Sequence, residues 1–135
     1  MLKGANLAKV IVVTVVNEIG VLADISKILA DHGTNIEVVE GYAVNGKAKI
    51  MLVTDDNLRA IDALKKKNYK SIVENDIIMI DLENKPGALK NITAKLASEG
   101  IDIKYIYGTT CSVGCPARLV LSTGDNEKAL VVFNR

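Results

Sequence analysis

Two copies of a β-α-β-β-α-β unit, an α+β fold with antiparallel sheets, are what this 135-residue sequence predicts. Three observations carry that expectation. "VNEIGVL" (16–22) and "ENKPGAL" (83–89) set an Asn three residues before a Gly and a Leu two residues after it. A shift of 67 positions that superposes Asn17 on Asn84 also superposes Gly20 on Gly87, Ile25 on Ile92, Leu29 on Leu96, Gly33 on Gly100 and Gly41 on Gly108. After a two-residue insertion the correspondence resumes, with Leu52 on Leu121, Thr54 on Thr123, Asp56-Asn57 on Asp125-Asn126 and Ala60 on Ala129. Glycines, core leucines and capping residues in one order mark a duplication.

Each element follows from its local pattern. Val10–Val16 and Ile77–Leu82 are apolar and rich in β-branched residues, which reads as strands. Val21, Leu22, Ile25, Ile28 and Leu29 share one face of a helix that Gly33 stops; its counterpart carries Leu89, Ile92 and Leu96 and stops at Gly100. The stretches 36–44 with 47–53 and 101–109 with 117–122 read as hairpins, the first turning at Asn45-Gly46. A second helix opens at Asp55-Asp56 and sets Leu58, Ile61 and Leu64 on one stripe. A short strand near 71–74 closes the first copy. The order is that of the ferredoxin-like fold. Strands 10–13 and 50–53 are apolar on both faces, as central strands are, while "IEVVE" (36–40) mixes in charge as an edge does. Helices cover only one face of such a sheet, so apolar residues on the other call for a second layer, which points to a homodimer.

The boundaries expected are 1–75 for the first repeat and 76–135 for the second. The second repeat lacks an evident final strand, because the sequence ends at Arg135 soon after its second helix. "MLKGANLA" (1–8) has no assigned counterpart; it either fills that vacant edge or leaves it for a partner.

Bulk properties exclude several classes. Net charge is +1 and the pI about 7.7, which gives no electrostatic case for nucleic acid or an anionic membrane. The run Lys65-Lys66-Lys67 falls where a helix ends and complements its dipole. No apolar stretch approaches the ~20 residues of a membrane span. Val10–Val16 has no cleavage signal after it, and a cytoplasmic location is the expectation. His32, the single histidine, sits at a helix end with no motif partner for catalysis. Cys111 and Cys115 bracket a hairpin turn; two buried thiols, a disulfide and two metal ligands are all open, the thiols being preferred, and the paucity of further His or Cys argues against a metal. No cofactor and no enzymatic activity are expected.

A strand that ends in Asn-x-x-Gly and enters a helix presents unpaired backbone N–H groups and the positive end of the helix dipole, a setting suited to a carboxylate. Glycine there lets the chain turn and lets a ligand approach the backbone. Asn17 and Asn84 either cap the helix or reach the ligand; ordinary turn chemistry accounts for the same residues. A Cys-x-x-Cys copper carrier and an acylphosphatase share the topology, but the loops Asn-Glu-Ile-Gly and Asn-Lys-Pro-Gly hold neither the cysteines nor the phosphate-binding arginine.

"VVNEIGVLADISKILADHGTNIEVVEG" and "DLENKPGALKNITAKLASEGIDIKYIYG" resemble ACT domains, the small-molecule-sensing modules of amino-acid metabolism. The resemblance covers nearly the whole chain as a tandem pair. It implies a regulatory protein that binds an amino acid or similar metabolite where two domains meet, and that acts on a separate enzyme or regulator. A ligand-free assembly module and an accessory subunit of a transcriptional repressor are the alternatives. The ligand-binding residues it implies are Asn17, Ile19, Gly20, Val21 and Asn35 for one corner, and Asn84, Pro86, Gly87, Ala88 and Asp102 for the other. Asp102 reads equally as a solvated strand residue. The family's serine-sensing members carry a His for which Val15 and Leu82 stand here, and Ile19 replaces the corner proline.

Overall fold

The computed structural model describes residues 2–110 and 114–135. The elements run β1 (Leu2–Val16), α1 (Val21–Asp31), β2 (Ile36–Val44), β3 (Lys47–Thr54), α2 (Asn57–Lys66), β4 (Ile72–Leu82), α3 (Ala88–Ser98), β5 (Ile103–Thr110), β6 (Ala117–Thr123) and α4 (Asn126–Phe133). Two compact units result: residues 9–75, and residues 1–8 together with 76–135. The segment 1–8, assigned with the first repeat on sequence grounds, therefore groups with the second.

Within residues 9–75 the strand order is β2-β3-β1-β4, with β2–β3 and β3–β1 antiparallel. Its core joins Ile11, Val13, Ile50 and Leu52 of the sheet to Ile25, Ile28 and Leu29 of α1 and Ala60, Ala63 and Leu64 of α2. Ile72 and Tyr69 pack against the margin of that core. The other unit repeats the plan as β5-β6-β4-β1. Ile78, Ile80, Leu82 and Leu121 meet Ala88, Ile92 and Leu96 of α3 and Ala129, Val132 and Phe133 of α4. Here Leu2 and Ala5 take the marginal place, so residues 2–8 act as the strand that the second repeat lacks at its own end.

Turn chemistry fixes the connections. Asn45 (φ 53°) and Gly46 (φ 77°) form the two-residue turn of the first hairpin. The helices α1 and α3 end alike: Thr34 N–H donates to Leu29 C=O at 2.9 Å and Ile101 N–H to Leu96 C=O at 2.9 Å, with Gly33 and Gly100 left-handed between them. Asp56 accepts from Arg59 N–H at 3.1 Å and Asp125 from Lys128 N–H at 3.0 Å, so both second helices carry an aspartate cap.

Four expectations need correction. The strands expected near 71–74 and at 77–82 are one strand, β4, because Asn75-Asp76 carries charge but no backbone break. Leu58 (79% exposed) lies off the buried stripe of α2, where Ala60, Ala63 and Leu64 face the sheet. Leu22 and Leu89 also point away from their helices' buried faces. Finally, Val10, Val12, Met51 and Val53 are buried in the single chain, although they lie outside the helix-packed core. Their burial does not itself require a second copy.

Candidate functional site

The two corners share a backbone. Gly20 (φ 91°, ψ 1°) and Gly87 (φ 87°, ψ −12°) are the N-terminal caps of α1 and α3, both left-handed and both without a side-chain cap. Of the two roles left open to Asn17 and Asn84, capping the helix is not the one they take; Gly stands in that place. Left-handed geometry is what turns the strand into the helix within so few residues, and it costs an L side chain about 1–2 kcal/mol. At each corner the first helical turn closes on the glycine carbonyl, with Asp24 N–H at 2.9 Å from Gly20 C=O and Asn91 N–H at 3.1 Å from Gly87 C=O.

The surroundings differ. At the first corner Asn17 N–H donates to Gly46 C=O at 2.8 Å, which ties the corner to the hairpin turn. Ile19 projects fully into solvent (108% relative exposure), and Val21 is half-buried. At the second corner Ala88 is buried, whereas Asn84, Pro86 and Gly87 are exposed. Glu83 and Lys85 pair at 2.7 Å across Asn84. Neighbouring positive charge, the Lys85 ammonium first and the N-terminal ammonium after it, holds the Glu83 carboxyl down at about 2, so Glu83 is ionised throughout the neutral range. A cavity of about 230 Å³ opens between this corner and the β5–β6 hairpin, with Leu82, Ala88 and Leu89 on one wall and Gly108, Thr109 and Leu119 on the other. Leu89, read from sequence as core, is a wall of this cavity.

Asn35 and Asp102 stand elsewhere within their units. The Asn35 backbone makes two hydrogen bonds to Asp55, its N–H donating to the side-chain Oδ1 at 3.0 Å and its C=O accepting from the Asp55 N–H at 3.1 Å. Asp102 C=O accepts from Gly124 N–H at 2.9 Å. Each lies beyond the C-terminus of a helix whose N-terminus holds the corner. Eleven residues of α1 therefore separate Asn17 from Asn35 within the unit, roughly 16 Å at 1.5 Å per residue. Neither unit by itself brings its two expected binding groups together.

His32 caps α1, with Nδ1 2.8 Å from Ile28 C=O, a contact in which the ring donates. Cys115 is disulfide-bonded, which overturns the preference for a buried thiol there; Cys111 lies outside the described residues. Among the described residues no cluster of His, Cys, Asp or Glu is arranged to hold a metal ion, and no helix is long and apolar enough to cross a membrane.

Fold and corners together define an α+β protein of two ferredoxin-like units with matched strand-to-helix turns. Residues 9–66 match the ACT domain family profile. The chain's fold is similar to that of protein BT0572 from Bacteroides thetaiotaomicron, with a TM-score of 0.87 at 24% identity over 96% of this chain and 88% of that one. It is similar as well to the ligand-free regulatory subunit of aspartate kinase from Thermus thermophilus (TM-score 0.68, 13% identity, 99% and 97% covered). The regulatory subunit of aspartate kinase from Thermus flavus gives 0.61 at 14% identity over 98% and 96%. No curated protein matches the sequence.

Proposed function

We propose that the chain is a pair of ACT repeats that senses a small metabolite, an amino acid, and passes its state to a separate enzyme or regulator. The observation that carries this reading is the corner itself, built twice with a left-handed glycine at a helix start and, at the second copy, a cavity beside it. Ile19, Gly20 and Val21 with Asn17, and Pro86, Gly87 and Ala88 with Asn84, are the ligand-facing residues of this proposal. Asn35 and Asp102 belong to it only where a neighbouring domain brings them to a corner. The match of 9–66 to the ACT domain, and the likeness of the whole fold to two aspartate kinase regulatory subunits, support a regulatory rather than catalytic role. A cytoplasmic homodimer is the form in which we expect it to act.

A thermal-shift screen of the purified chain against the twenty amino acids tests this. A ligand at one hundred times its Kd adds about 2.7 kcal/mol of stability. For a chain of this size that raises Tm by roughly 5 to 20 °C. A single strong hit names the ligand and the pathway in which to seek the target; twenty flat curves refute amino-acid sensing.

A further inference from the structure

A second cavity, of about 270 Å³, lies at the same end of the second unit, and half-buried Cys115 lines it together with Lys3, Glu83, Asn84, Gly114 and Pro116. Cys115 is the disulfide-bonded residue, and the sequence holds one other cysteine, Cys111, for it to bond with. The first repeat shows that the fold does not need such a bond. Its hairpin turns on Asn45-Gly46 and has no cysteine, whereas residues 111–116 join β5 to β6. The Ala43–Ala48 pair of the first hairpin corresponds to the Thr110–Ala117 pair of the second, so the two-residue insertion of the repeat falls in this connection. A disulfide present in one copy only, in the wall of a cavity, is accessible to exchange in a way that a buried structural bond is not.

The charge at this end is positive. Glu83 is already engaged, paired with Lys85 at 2.7 Å and hydrogen-bonded to the N-terminal ammonium. Against that carboxylate stand Lys85, the N-terminal ammonium and Lys3, which lines the cavity because residues 2–8 fold into this unit. An anion is drawn to such a site and a cation repelled. We infer that a small carboxylate-bearing thiol, of the glutathione class, enters this cavity and exchanges with the Cys115 disulfide, its carboxylate held by Lys3. The incoming thiolate attacks the Cys115 sulfur and forms a mixed disulfide there. The bond from Cys115 to its partner cysteine breaks, and the partner leaves as a thiolate that takes a proton from water. A second molecule of the thiol then attacks the mixed disulfide, frees Cys115 as a thiol and departs as the small-molecule disulfide. The protein bond gains two electrons and the two small thiols lose them. Asn84 lines this cavity and the one beside the corner alike, so a thiol lodged here bears directly on the corner.

The test is the rate at which the oxidised full chain loses its disulfide to three thiols of similar size and different charge: 3-mercaptopropionate, 2-mercaptoethanol and cysteamine, with glutathione alongside. Rates are compared per thiolate, after acid quenching and mass spectrometry of the alkylated protein. The anionic thiols are expected to react fastest and cysteamine slowest, each step at least about threefold, the scale of a partly screened charge. High salt is expected to flatten that order in the parent, and Lys3→Gln to flatten it at low salt while leaving the 2-mercaptoethanol rate unchanged. Lys3 is exposed, and a melting curve of the variant verifies that it folds. Peptide mapping of the quenched glutathione reaction is expected to find the mixed disulfide on Cys115. Equal rates for the three thiols, or an order that survives Lys3→Gln, overturn the cavity as the thiol's site. A mixed disulfide found on Cys111 alone overturns Cys115 as the sulfur attacked. A bond that millimolar glutathione leaves intact, or a chain that holds two free thiols after equilibration with oxidised glutathione, overturns the exchange altogether.

Discussion

Gly41 and Gly108 occupy matched positions in β2 and β5, yet their surroundings give them unequal weight. A Cβ on Gly108 falls 2.3 Å from the Arg118 carbonyl oxygen and 2.4 Å from Leu119 Cδ2, so backbone must move to admit it. At Gly41 the nearest atom is Ile50 Cδ1 at 3.1 Å, the tip of a side chain that can rotate. Gly108→Ala is expected to cost about 2–3 kcal/mol and Gly41→Ala under about 1, read from urea denaturation midpoints. Equal costs would show that β5 and β6 separate easily. The sequence announced both glycines by their place in the repeat but not this difference, which depends on how closely β6 lies against Gly108. The corner residues were legible to a similar extent. Gly20 and Gly87 were expected at the turn and are there, left-handed. What sequence could not supply was the company each keeps, with Gly46 bonded to Asn17 in one copy and the Glu83–Lys85 pair beside Asn84 in the other.

Among elements, the start of each second helix is fixed by a repeated set of polar contacts. Asn57 Oδ1 accepts from Thr54 Oγ1 at 2.7 Å while Asn57 Nδ2 donates to Lys9 C=O at 3.1 Å. Asn126 does the same between Thr123 Oγ1 at 2.8 Å and Asp76 C=O at 2.9 Å. One side chain therefore ties a helix start to the strand beside it, and Asp56→Ala is expected to cost about 1 kcal/mol by removing the adjoining cap. The cap was readable from Asp-Asn after a strand; the cross-link was not, because its acceptor is a backbone carbonyl about fifty residues away in sequence. A second tie joins α1 to the segment after α2, where half-buried Tyr69 donates its hydroxyl to Asp24. Burial first, then that hydrogen bond, raises the phenol to about 12 from its usual 10. With the folded value above the unfolded one, the contribution is whole below about pH 10 and is lost as pH climbs through 12. Tyr69→Phe is expected to flatten the stability profile over that alkaline interval, as followed by urea unfolding at successive pH values. A parent whose stability stays level from pH 10 to 12 would mean the contact is absent in solution.

For the whole molecule, the duplication runs further than the corner motif suggests. The shift of 67 that superposes the corners also carries Leu2 onto Tyr69 and Ala5 onto Ile72. Those four residues occupy equivalent margins: Leu2 and Ala5 against the second core, Tyr69 and Ile72 against the first. Residues 2–8 and 69–75 are thus the same segment of the repeat, and each runs on into the opening strand of a unit to which it does not itself belong. This explains why the second repeat could look unfinished at its end. Its closing strand precedes everything else in sequence, where Gly4 and Asn6 weaken the strand pattern and no neighbouring motif frames it. Deletion of residues 2–8 therefore removes a structural strand rather than a tail. It uncovers Ile78, Ile80 and Leu82 along one margin of their core and strips β4 of its neighbour there, while every residue of the 9–75 core remains. Hydrogen exchange of the truncated chain is expected to show amide protection lost over 77–82 by at least about tenfold, with 50–53 keeping most of theirs. Protection unchanged at 77–82 would mean that the second unit closes without its N-terminal strand.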